Sequence, residues 1–228
     1  MTNLPGGSRG EGKMVEDYLY YEEKGPPNIR VYLGDCLEVM GLLPKVDLVV
    51  TDPPYGIGAG NEKEHNGFKD YGSSDWDVDT PPIETFNLMR EKSKDQIIWG
   101  GNYFADKLPT SMCWLVWDKG QREFSLADGE LAWTSFNQAL RIKTVARGKA
   151  LQDGKVHPTQ KSLDIIKWSI QQCKYWDTPL TILDPFGGSG TTAVACKELK
   201  KDCTLIEISE KYCQIAVNRL KNTIVPFL

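Results

Sequence analysis

The sequence has only two histidines, and none of its six cysteines form a Cys-x-x-Cys pair. A histidine-based zinc site is therefore not expected, and the cysteines are predicted to be buried thiols rather than metal ligands or disulfides. No apolar run approaches the roughly 18 residues that a membrane-spanning helix needs. Residues 1–13 also lack the apolar centre of a signal peptide. These absences predict a cytosolic protein with no metal and no membrane partner.

Two common phosphate-binding motifs are missing as well. A P-loop requires Gly-x-x-x-x-Gly-Lys-Ser/Thr, and no lysine follows Gly190, the last glycine of the only compact glycine cluster in the second half of the chain. The dinucleotide fingerprint Gly-x-Gly-x-x-Gly is also absent. The sequence thus argues against a nucleotide triphosphate or a dinucleotide as the ligand of that cluster.

Length and composition are those of one globular unit. The chain has 228 residues, of which 40% are hydrophobic and 25% charged, and this is enough for a single sheet with a sizeable core. Residues 1–13, rich in Gly and Ser, are predicted to be a disordered tail. With no internal repeat, residues 14–228 are predicted to form a single domain.

Hydrophobic patterning alternates between strands and helices. Seven strands are predicted, at Ile29–Leu33, Val46–Thr51, Gln96–Trp99, Cys113–Trp117, Leu131–Phe136, Thr181–Leu183 and Cys203–Ile206. Helices are predicted near residues 83–93, 160–174, 190–200 and 209–222. Such alternation is typical of an α/β fold, whose ligands bind at the carboxyl ends of the strands. Trp99, Trp114 and Trp117 lie in apolar strands and are predicted to be core residues.

The most informative motif follows the apolar run Val46–Thr51 and reads Asp52-Pro53-Pro54-Tyr55. The two prolines fix two φ angles and remove two backbone donors, so carbonyl groups remain free beside a carboxylate and an aromatic ring. These four residues are candidates for a catalytic pocket that holds a flat ring bearing an NH2 group. The alternative is an ordinary exit from a strand into a loop.

A second motif combines a strand, a glycine turn and a helix. Glycines allow close approach of a ligand, and the helix N-terminus offers free N–H groups to an anionic end of that ligand. The next strand ends at Glu207, where a carboxylate can accept hydrogen bonds from ribose hydroxyls. The candidate cofactor-binding residues here are Asp184, Phe186, Gly188, Ser189, Gly190, Thr191, Thr192 and Glu207. A nucleoside with a carboxylate tail fits both features, with its ribose at Glu207 and its carboxylate at the helix N-terminus.

Together these motifs resemble those of the amino-group DNA methyltransferases that use S-adenosylmethionine. Asp52–Tyr55 matches the family's catalytic motif, and Phe186, Gly188 and Gly190 match its Phe-x-Gly-x-Gly cofactor motif. Because the catalytic motif comes first, the order is similar to that of the β group, a circular permutation of the usual sheet. The resemblance implies an α/β fold: a permuted, seven-stranded, mostly parallel Rossmann-like sheet with helices on both faces.

The resemblance also implies roles for residues outside these two motifs. The segment that contains His157, Thr159 and Lys161 resembles the third cofactor element, in which Thr159 and Lys161 are candidates for holding the methionine carboxylate. Asp35 resembles the acid that contacts the adenine amine of the cofactor, and Asn102 lies in a turn that borders its pocket. Each has a simpler alternative: Lys161 as a surface residue, Asp35 as a helix N-cap and Asn102 as a turn former.

The implied reaction is methyl transfer to the exocyclic amine of a base flipped out of double-stranded DNA. Adenine N6 is favoured because the family tends to place Asp first for adenine and Ser first for cytosine N4. Cytosine N4 remains an alternative, followed by an RNA methyltransferase and an inactive nucleic-acid-binding subunit. The sequence contains no Pro-Cys pair, the nucleophile motif of cytosine ring-carbon methylation.

Contacts with DNA are predicted from local rather than total charge, since the net charge is −4. A basic strip that includes Arg141, Lys143, Arg147 and Lys149 is a candidate DNA-binding segment, within a short target-recognition insertion around residues 139–156. A solvated charged loop is the alternative. The long loop of residues 56–80 is predicted to close over DNA or the flipped base. So small a recognition region makes a homodimer plausible.

Overall fold

The structure, a computed structural model, describes residues 12–57, 79–122, 127–146 and 161–224. Nine strands lie within these ranges: β1 (Leu19–Glu23), β2 (Ile29–Leu33), β3 (Val46–Thr51), β4 (Ser93–Trp99), β5 (Trp114–Asp118), β6 (Gly129–Thr134), β7 (Arg141–Thr144), β8 (Thr181–Asp184) and β9 (Asp202–Glu207). The α-helices of the same ranges are α1 (Cys36–Leu42), α2 (Ile83–Glu91), α3 (Leu163–Gln171), α4 (Thr191–Glu198) and α5 (Glu210–Asn222). Two short 3₁₀ helices, Val15–Tyr18 and Gly101–Phe104, complete the described elements.

All described strands belong to one sheet, in the order β1-β2-β9-β8-β3-β4-β6-β5-β7. The pairs β2–β9, β9–β8, β8–β3, β3–β4 and β5–β7 are parallel, while β1 and β6 run antiparallel to their neighbours. The last two strands of the chain therefore lie between β2 and β3. This is the arrangement that the permuted order of motifs predicts.

The predicted strands and helices are all present, with ends that differ by a few residues, but three elements were missed. The sheet of the described chain has nine strands rather than seven, because β1 and β7 are short edge strands rich in charged or polar residues, which weakens a hydrophobic pattern. The helix α1 was also missed; it spans only two turns. Residues 141–144 are a strand, so the predicted recognition insertion is not a loop throughout.

The core has two parts, one on each face of the sheet. Leu48 and Val50 of β3 face the side covered by α3, α4 and α5, whereas Val49 faces the side covered by α1 and α2. Because both faces are covered, the centre of β3, Leu48 to Val50, is apolar on both faces rather than alternating. Each fully buried side chain of this kind contributes about 1.5–3 kcal/mol. Of the three tryptophans expected in the core, Trp99 and Trp117 are buried, and Trp114 is partly buried and packs against the core.

The carboxyl ends of the parallel strands meet at one edge of the sheet. There β3 and β8 are joined by a hydrogen bond that the Thr51 hydroxyl donates to Asp184, at 2.7 Å. Since β6 is antiparallel to β4, its first residues, not its last, lie at this edge. We call this side of the molecule the catalytic edge of the sheet.

All six cysteines are free thiols, five of them buried and Cys36 half-buried. None of the helices described is both long and apolar enough to cross a bilayer. Most of the predicted tail, most of the 56–80 loop, and the predicted site residues Arg147, Lys149, His157 and Thr159 lie outside the described residues.

Candidate active site

A cavity of about 400 Å³ opens at the catalytic edge. It is lined by the end of β3, the start of α3, the glycine turn after β8 and the end of β9. Residues from both predicted motifs meet in its wall: Asp52 and Pro54 from the first, and Asp184, Phe186, Gly188, Ser189, Thr191, Thr192 and Glu207 from the second motif and the strand that follows it. Sequence segments more than 100 positions apart thus form one pocket.

Asp52 is the best-connected residue of the first motif. Its Oδ1 and Oδ2 accept hydrogen bonds from Nζ of Lys161, at 2.9 and 2.8 Å. Its Oδ1 also accepts a short hydrogen bond from the hydroxyl of Tyr55. A carboxylate has about four lone-pair positions, so contacts with the described residues leave one position free, on Oδ2.

Lys161, a candidate for holding the methionine carboxylate, lines the cavity and places its ammonium group at Asp52. Its Nζ also donates to the hydroxyl of Tyr55, at 2.8 Å, and lies 2.7 Å from Oε2 of Glu130. The side chain is only 6% exposed. Lys161 is thus a buried part of the catalytic motif's surroundings, and not the surface residue that was the alternative.

Glu130 was not identified from the sequence. It lies near the start of β6, and its Oε1 pairs with Nζ of Lys119 at 2.8 Å. Four charged groups therefore alternate in sign across the site, from Lys119 through Glu130 and Lys161 to Asp52. We call this set the charge chain.

The pKa values of the charge chain follow from burial and from these contacts. Burial raises the pKa of Asp52 above its usual range, while Lys161 opposes that rise. Burial would lower the pKa of Lys161, but Asp52 and Glu130 outweigh it and hold the pKa well above its usual value. Burial would also raise the pKa of Glu130, yet Lys161 and Lys119 lower it to about 2. Lys161 stays protonated and so can donate hydrogen bonds but cannot accept a proton.

Tyr55, predicted to stack on a flipped base, already stacks on another ring. The ring of Tyr103 lies 4.7 Å from it, centroid to centroid, with an interplanar angle of 13°. Gly100 packs closely against Tyr55: a Cβ at Gly100 would lie 2.1 Å from its Cε1. Tyr103 is 43% exposed whereas Gly100 is buried, so displacement of Tyr103 would open one side of Tyr55 to a base.

The glycine turn is held against β9. The N–H of Gly188 donates to Oε2 of Glu207 at 2.7 Å, and the N–H of Ser209 donates to Oε1 at 2.8 Å. Gly190 has φ of +81°, in the left-handed region that glycine tolerates best. Its missing side chain allows α5 to pack closely, because a Cβ there would lie 2.6 Å from that of Ala216. The turn is therefore shaped by both strand and helix contacts.

Arg219 of α5 supports the same turn and was not identified from the sequence. Its Nη1 donates to the carbonyl and hydroxyl of Ser189, at 2.7 and 3.0 Å, and to the hydroxyl of Thr191, at 3.0 Å. Its position in the last turn of α5, where basic residues are common because they complement the helix dipole, gives no local signal of this contact. The guanidinium fixes the start of α4, where backbone N–H groups face the cavity.

Asp184 is a buried carboxyl of the cavity wall, only 3% exposed. Burial raises its pKa to about 6, although hydrogen bonds from Thr192, Thr51 and the N–H of Phe186 oppose the rise. The negative charge of Asp52 adds to the increase. The ionisation of Asp184 is therefore expected to change within the physiological pH range.

Other predicted residues are not brought to the cavity wall. Asp35 is exposed, and its carboxylate caps α1 by accepting from the N–H groups of Leu37 and Glu38, at 2.8 and 3.3 Å. Asp35 therefore has the N-cap role that was its alternative. It also follows β2, whose last residue pairs with Glu207, so it lies near the carboxyl end of β9. Asn102 lies exposed in the 3₁₀ turn after β4. Their contacts with a cofactor remain predictions.

Two predicted DNA-binding residues lie on the edge strand β7. Arg141 is exposed, and Lys143 places its Nζ 6.0 Å from the ring centre of Trp168. Both point to the same face of the strand because side chains alternate. The neighbouring Ile142 is 63% exposed, so this edge presents both cationic and apolar surface.

The cavity residues fit S-adenosylmethionine. Glu207 accepts hydrogen bonds from two N–H groups and retains lone pairs for ribose hydroxyls. The start of α4, which follows the glycine turn, can bind an anionic group. Asp52 and Asp184 supply carboxylates to a ligand that carries positive charge. The wall is otherwise largely apolar, with Phe186 and Ile166 among its residues, as a ligand with an aromatic base requires.

Comparison with known sequences gives a family match over residues 79–218, to the N6/N4 methyltransferase model described as DNA methylase. The type II methyltransferase M.ScaI of Streptomyces caespitosus is 27% identical, and the alignment covers 89% of this chain and 83% of that protein. The type II methyltransferase M2.MboI of Moraxella bovis is 24% identical, with 87% of this chain and 90% of that protein covered.

Two solved structures share the fold. The M1.HpyAVI–SAM complex is 21% identical with a TM-score of 0.57, covering 84% of this chain and 98% of that one. The cytosine-N4-specific PvuII DNA methyltransferase is 15% identical with a TM-score of 0.55, covering 84% and 86%. The expected mostly parallel Rossmann-like fold is thereby confirmed, and so is S-adenosylmethionine as the cofactor of the family. Because the family model matches more than half of its length, the chain belongs to the N6/N4 family of DNA methylases.

Proposed function

We propose that this protein transfers a methyl group from S-adenosylmethionine to N6 of an adenine flipped out of double-stranded DNA. The observation that carries the proposal is the position of Asp52: its carboxylate lines the same cavity as the glycine turn and Glu207. A methyl donor held by the turn and an amine held by Asp52 would therefore meet in one pocket, and holding two reactants in line accounts for much of the rate of such a reaction.

The residues of the pocket explain how an unreactive amine is activated. The lone pair of an exocyclic amine is delocalised into its ring, and acceptors for its N–H groups favour a more tetrahedral, nucleophilic nitrogen. The free position on Oδ2 of Asp52 and the carbonyl of Pro53 are the acceptors proposed. When bound, the cofactor supplies an electrophilic methyl group on a sulfonium sulfur.

Asp52 also stabilises the product side of the reaction. As the N–CH3 bond would form and the S–CH3 bond of the cofactor would break, positive charge would pass from sulfur to the amine nitrogen, where a carboxylate in a poorly solvated pocket stabilises it. The methylated nitrogen then loses its proton, for which Asp52 is the nearest base. Lys161 cannot take this proton, because the pKa of its ammonium group is held well above the usual value.

Adenine is proposed over cytosine because Asp is the first residue of the catalytic tetrapeptide. Both Arg141 and Lys143 are proposed to contact DNA phosphates, since they place two cationic side chains on one face of the edge strand β7. Such contacts make binding strongly salt-dependent. A homodimer remains a proposal for extending this small surface.

The test is nucleoside mass spectrometry of duplex DNA incubated with the purified protein and S-adenosylmethionine. N6-methyladenine is expected; N4-methylcytosine would reassign the base, and methylation of RNA alone would refute the DNA substrate. Asp52→Asn should bind the cofactor but lose transfer by at least about 100-fold. The matched control is Asp47→Asn on β3, the strand that Asp52 follows; the carboxylate of Asp47 pairs with Lys94 and accepts hydrogen bonds from Thr181 instead.

A further inference from the structure

Lys161 has a second anionic partner, Glu130, besides Asp52. Its ammonium nitrogen has three N–H groups but four oxygen neighbours within 3 Å: both oxygens of Asp52, the hydroxyl of Tyr55 and Oε2 of Glu130. Asp52 and Tyr55 accept hydrogen bonds from this nitrogen, whereas Oε2 of Glu130 lies at ion-pair distance without accepting one. Among the described residues, Glu130 is its only anionic partner outside the catalytic motif.

Glu130 is itself fixed in place. It belongs to β6, whose backbone pairs with β5 through Trp117, and its other oxygen is held by Lys119 at 2.8 Å. The Lys119 side chain is 11% exposed, so this second pair is also largely shielded from water. A rigid strand thus holds a carboxylate against the ammonium group that contacts Asp52.

The balance of charge gives this arrangement a chemical consequence. If Lys161 had Asp52 as its only anionic partner, the pair would be neutral, and Asp52 would stabilise a developing cation on the amine only weakly. Lys119 balances Glu130, so the charge chain as a whole is neutral, but Lys161 divides its positive charge between two carboxylates and therefore offsets Asp52 less completely. Shielded charges interact more strongly than exposed ones, so this difference matters.

We propose that Glu130 is a positioning residue for methyl transfer, which holds Lys161 against Asp52 and leaves the Asp52 carboxylate negative enough to stabilise the methylated amine. The proposal rests on the function proposed above. It assigns to Glu130 no contact with DNA or cofactor, consistent with its absence from the cavity wall. Its effect on the reaction is exerted through Lys161.

Two substitutions should shift the pH profile of kcat in opposite directions. Glu130→Gln removes a negative charge that raises the pKa of Asp52, so the acid limb should move to lower pH while kcat falls about tenfold. Lys161→Met removes a positive charge that lowers the same pKa, so the limb should move to higher pH. Loss of packing alone would not move the limb in two directions.

Four titratable groups near Asp52 bear on its pKa. They are Tyr55 after β3, Lys161 before α3, Glu130 on β6 and Asp184 on β8. Asp184 has a pKa of about 6 and titrates in all variants, so the comparison between variants is the informative quantity. The double variant Glu130→Gln/Lys161→Met should be no slower than Lys161→Met alone, because Glu130 acts through Lys161.

The matched control is Glu23→Gln. Glu23 pairs with Lys197 at 2.8 Å, and Lys197 is 9% exposed, which resembles the Glu130–Lys161 pair, but Glu23 lies on the edge strand β1. This variant should keep the wild-type kcat and pH profile. Cofactor binding, measured by calorimetry, should be unchanged in Glu23→Gln and Glu130→Gln, which also shows that both variants fold.

The outcomes separate the two proposals. A wild-type protein that methylates no DNA overturns the proposed function. An active wild type beside a Glu130→Gln variant with the same kcat and acid limb overturns only the positioning role. Further slowing of Lys161→Met by the second substitution would also overturn it, because Glu130 would then act independently of Lys161.

Discussion

Replacing Asp184 by asparagine is expected to stabilise the protein and to weaken cofactor binding. The carboxyl group is almost fully buried, and its pKa rises from 3.8 to about 6, chiefly because burial disfavours its charged form. Asparagine keeps an oxygen that can accept from Thr51 and from the N–H of Phe186, as Oδ1 of Asp184 does at 2.7 and 3.1 Å. The substitution therefore removes a buried charge without removing these hydrogen bonds.

The magnitude follows from the pKa. One pKa unit corresponds to about 1.4 kcal/mol, so the interval from 3.8 to about 6 represents a cost of about 3 kcal/mol at neutral pH. Because the folded protein binds this proton more tightly than the unfolded chain, the cost is absent below pH ~4. It grows as pH rises and is complete above the folded pKa. About 1.4 kcal/mol of it develops between pH 5 and pH 7.5.

Urea unfolding of both proteins at pH 5 and pH 7.5 measures this difference. The stability advantage of Asp184→Asn over wild type should be larger at pH 7.5, by about 1.4 kcal/mol. Titration calorimetry at pH 7.5 should show weaker binding of S-adenosylmethionine, since the variant lacks a carboxylate in the cavity wall. An advantage that is equal at the two pH values would refute the raised pKa on which the reasoning depends.

Three further substitutions test the turn and the aromatic stack. Glu207→Gln keeps only one strong acceptor for the two N–H groups that donate to the carboxylate, so the glycine turn is held less firmly. The Kd of S-adenosylmethionine should therefore rise about tenfold in calorimetry. Gly190→Ala should lower the free energy of unfolding by about 2–4 kcal/mol in urea, because its φ of +81° and the contact with Ala216 both disfavour a side chain. Tyr103→Ala frees one side of Tyr55 from a ring pair worth about 0.5–1.5 kcal/mol; KM for DNA should fall about two- to tenfold, and a rise would show that Tyr103 itself binds the base.

The sequence predicted the parts of the fold that depend on local pattern. Buried strands such as Val46–Thr51 and Ile29–Leu33 consist mainly of apolar residues, and their bounds in the structure are those predicted. Edge strands carry no such signal, because one side of an edge strand meets solvent and its side chains are mixed. For that reason Leu19–Glu23 and Arg141–Thr144 were missed as strands, and the second was interpreted only as part of a basic strip in the target-recognition insertion.

The candidate site was predicted where motif and strand end coincide. Asp52, Asp184 and Glu207 each lie at or just after the end of a buried parallel strand, and the cavity brings all three together. The role expected for Lys161 was less certain, since a resemblance between motifs places a residue near a site but does not determine which group its side chain meets. That choice depends on Glu130 and Tyr55, which come from different elements.

Glu130 shows why strand direction limits such predictions. In a parallel sheet the functional side chains follow their strands, so inspection of strand ends finds them. A strand that runs the other way brings its first residues to the same edge, and β6 does so with Glu130 at its second position. The preceding strand, β5, runs parallel to the main set and brings Lys119 there immediately after its end. A charged residue at the start of a reversed strand therefore lies at the same edge of the sheet as the residues that follow the parallel strands, and Glu130 meets Lys161 there for that reason.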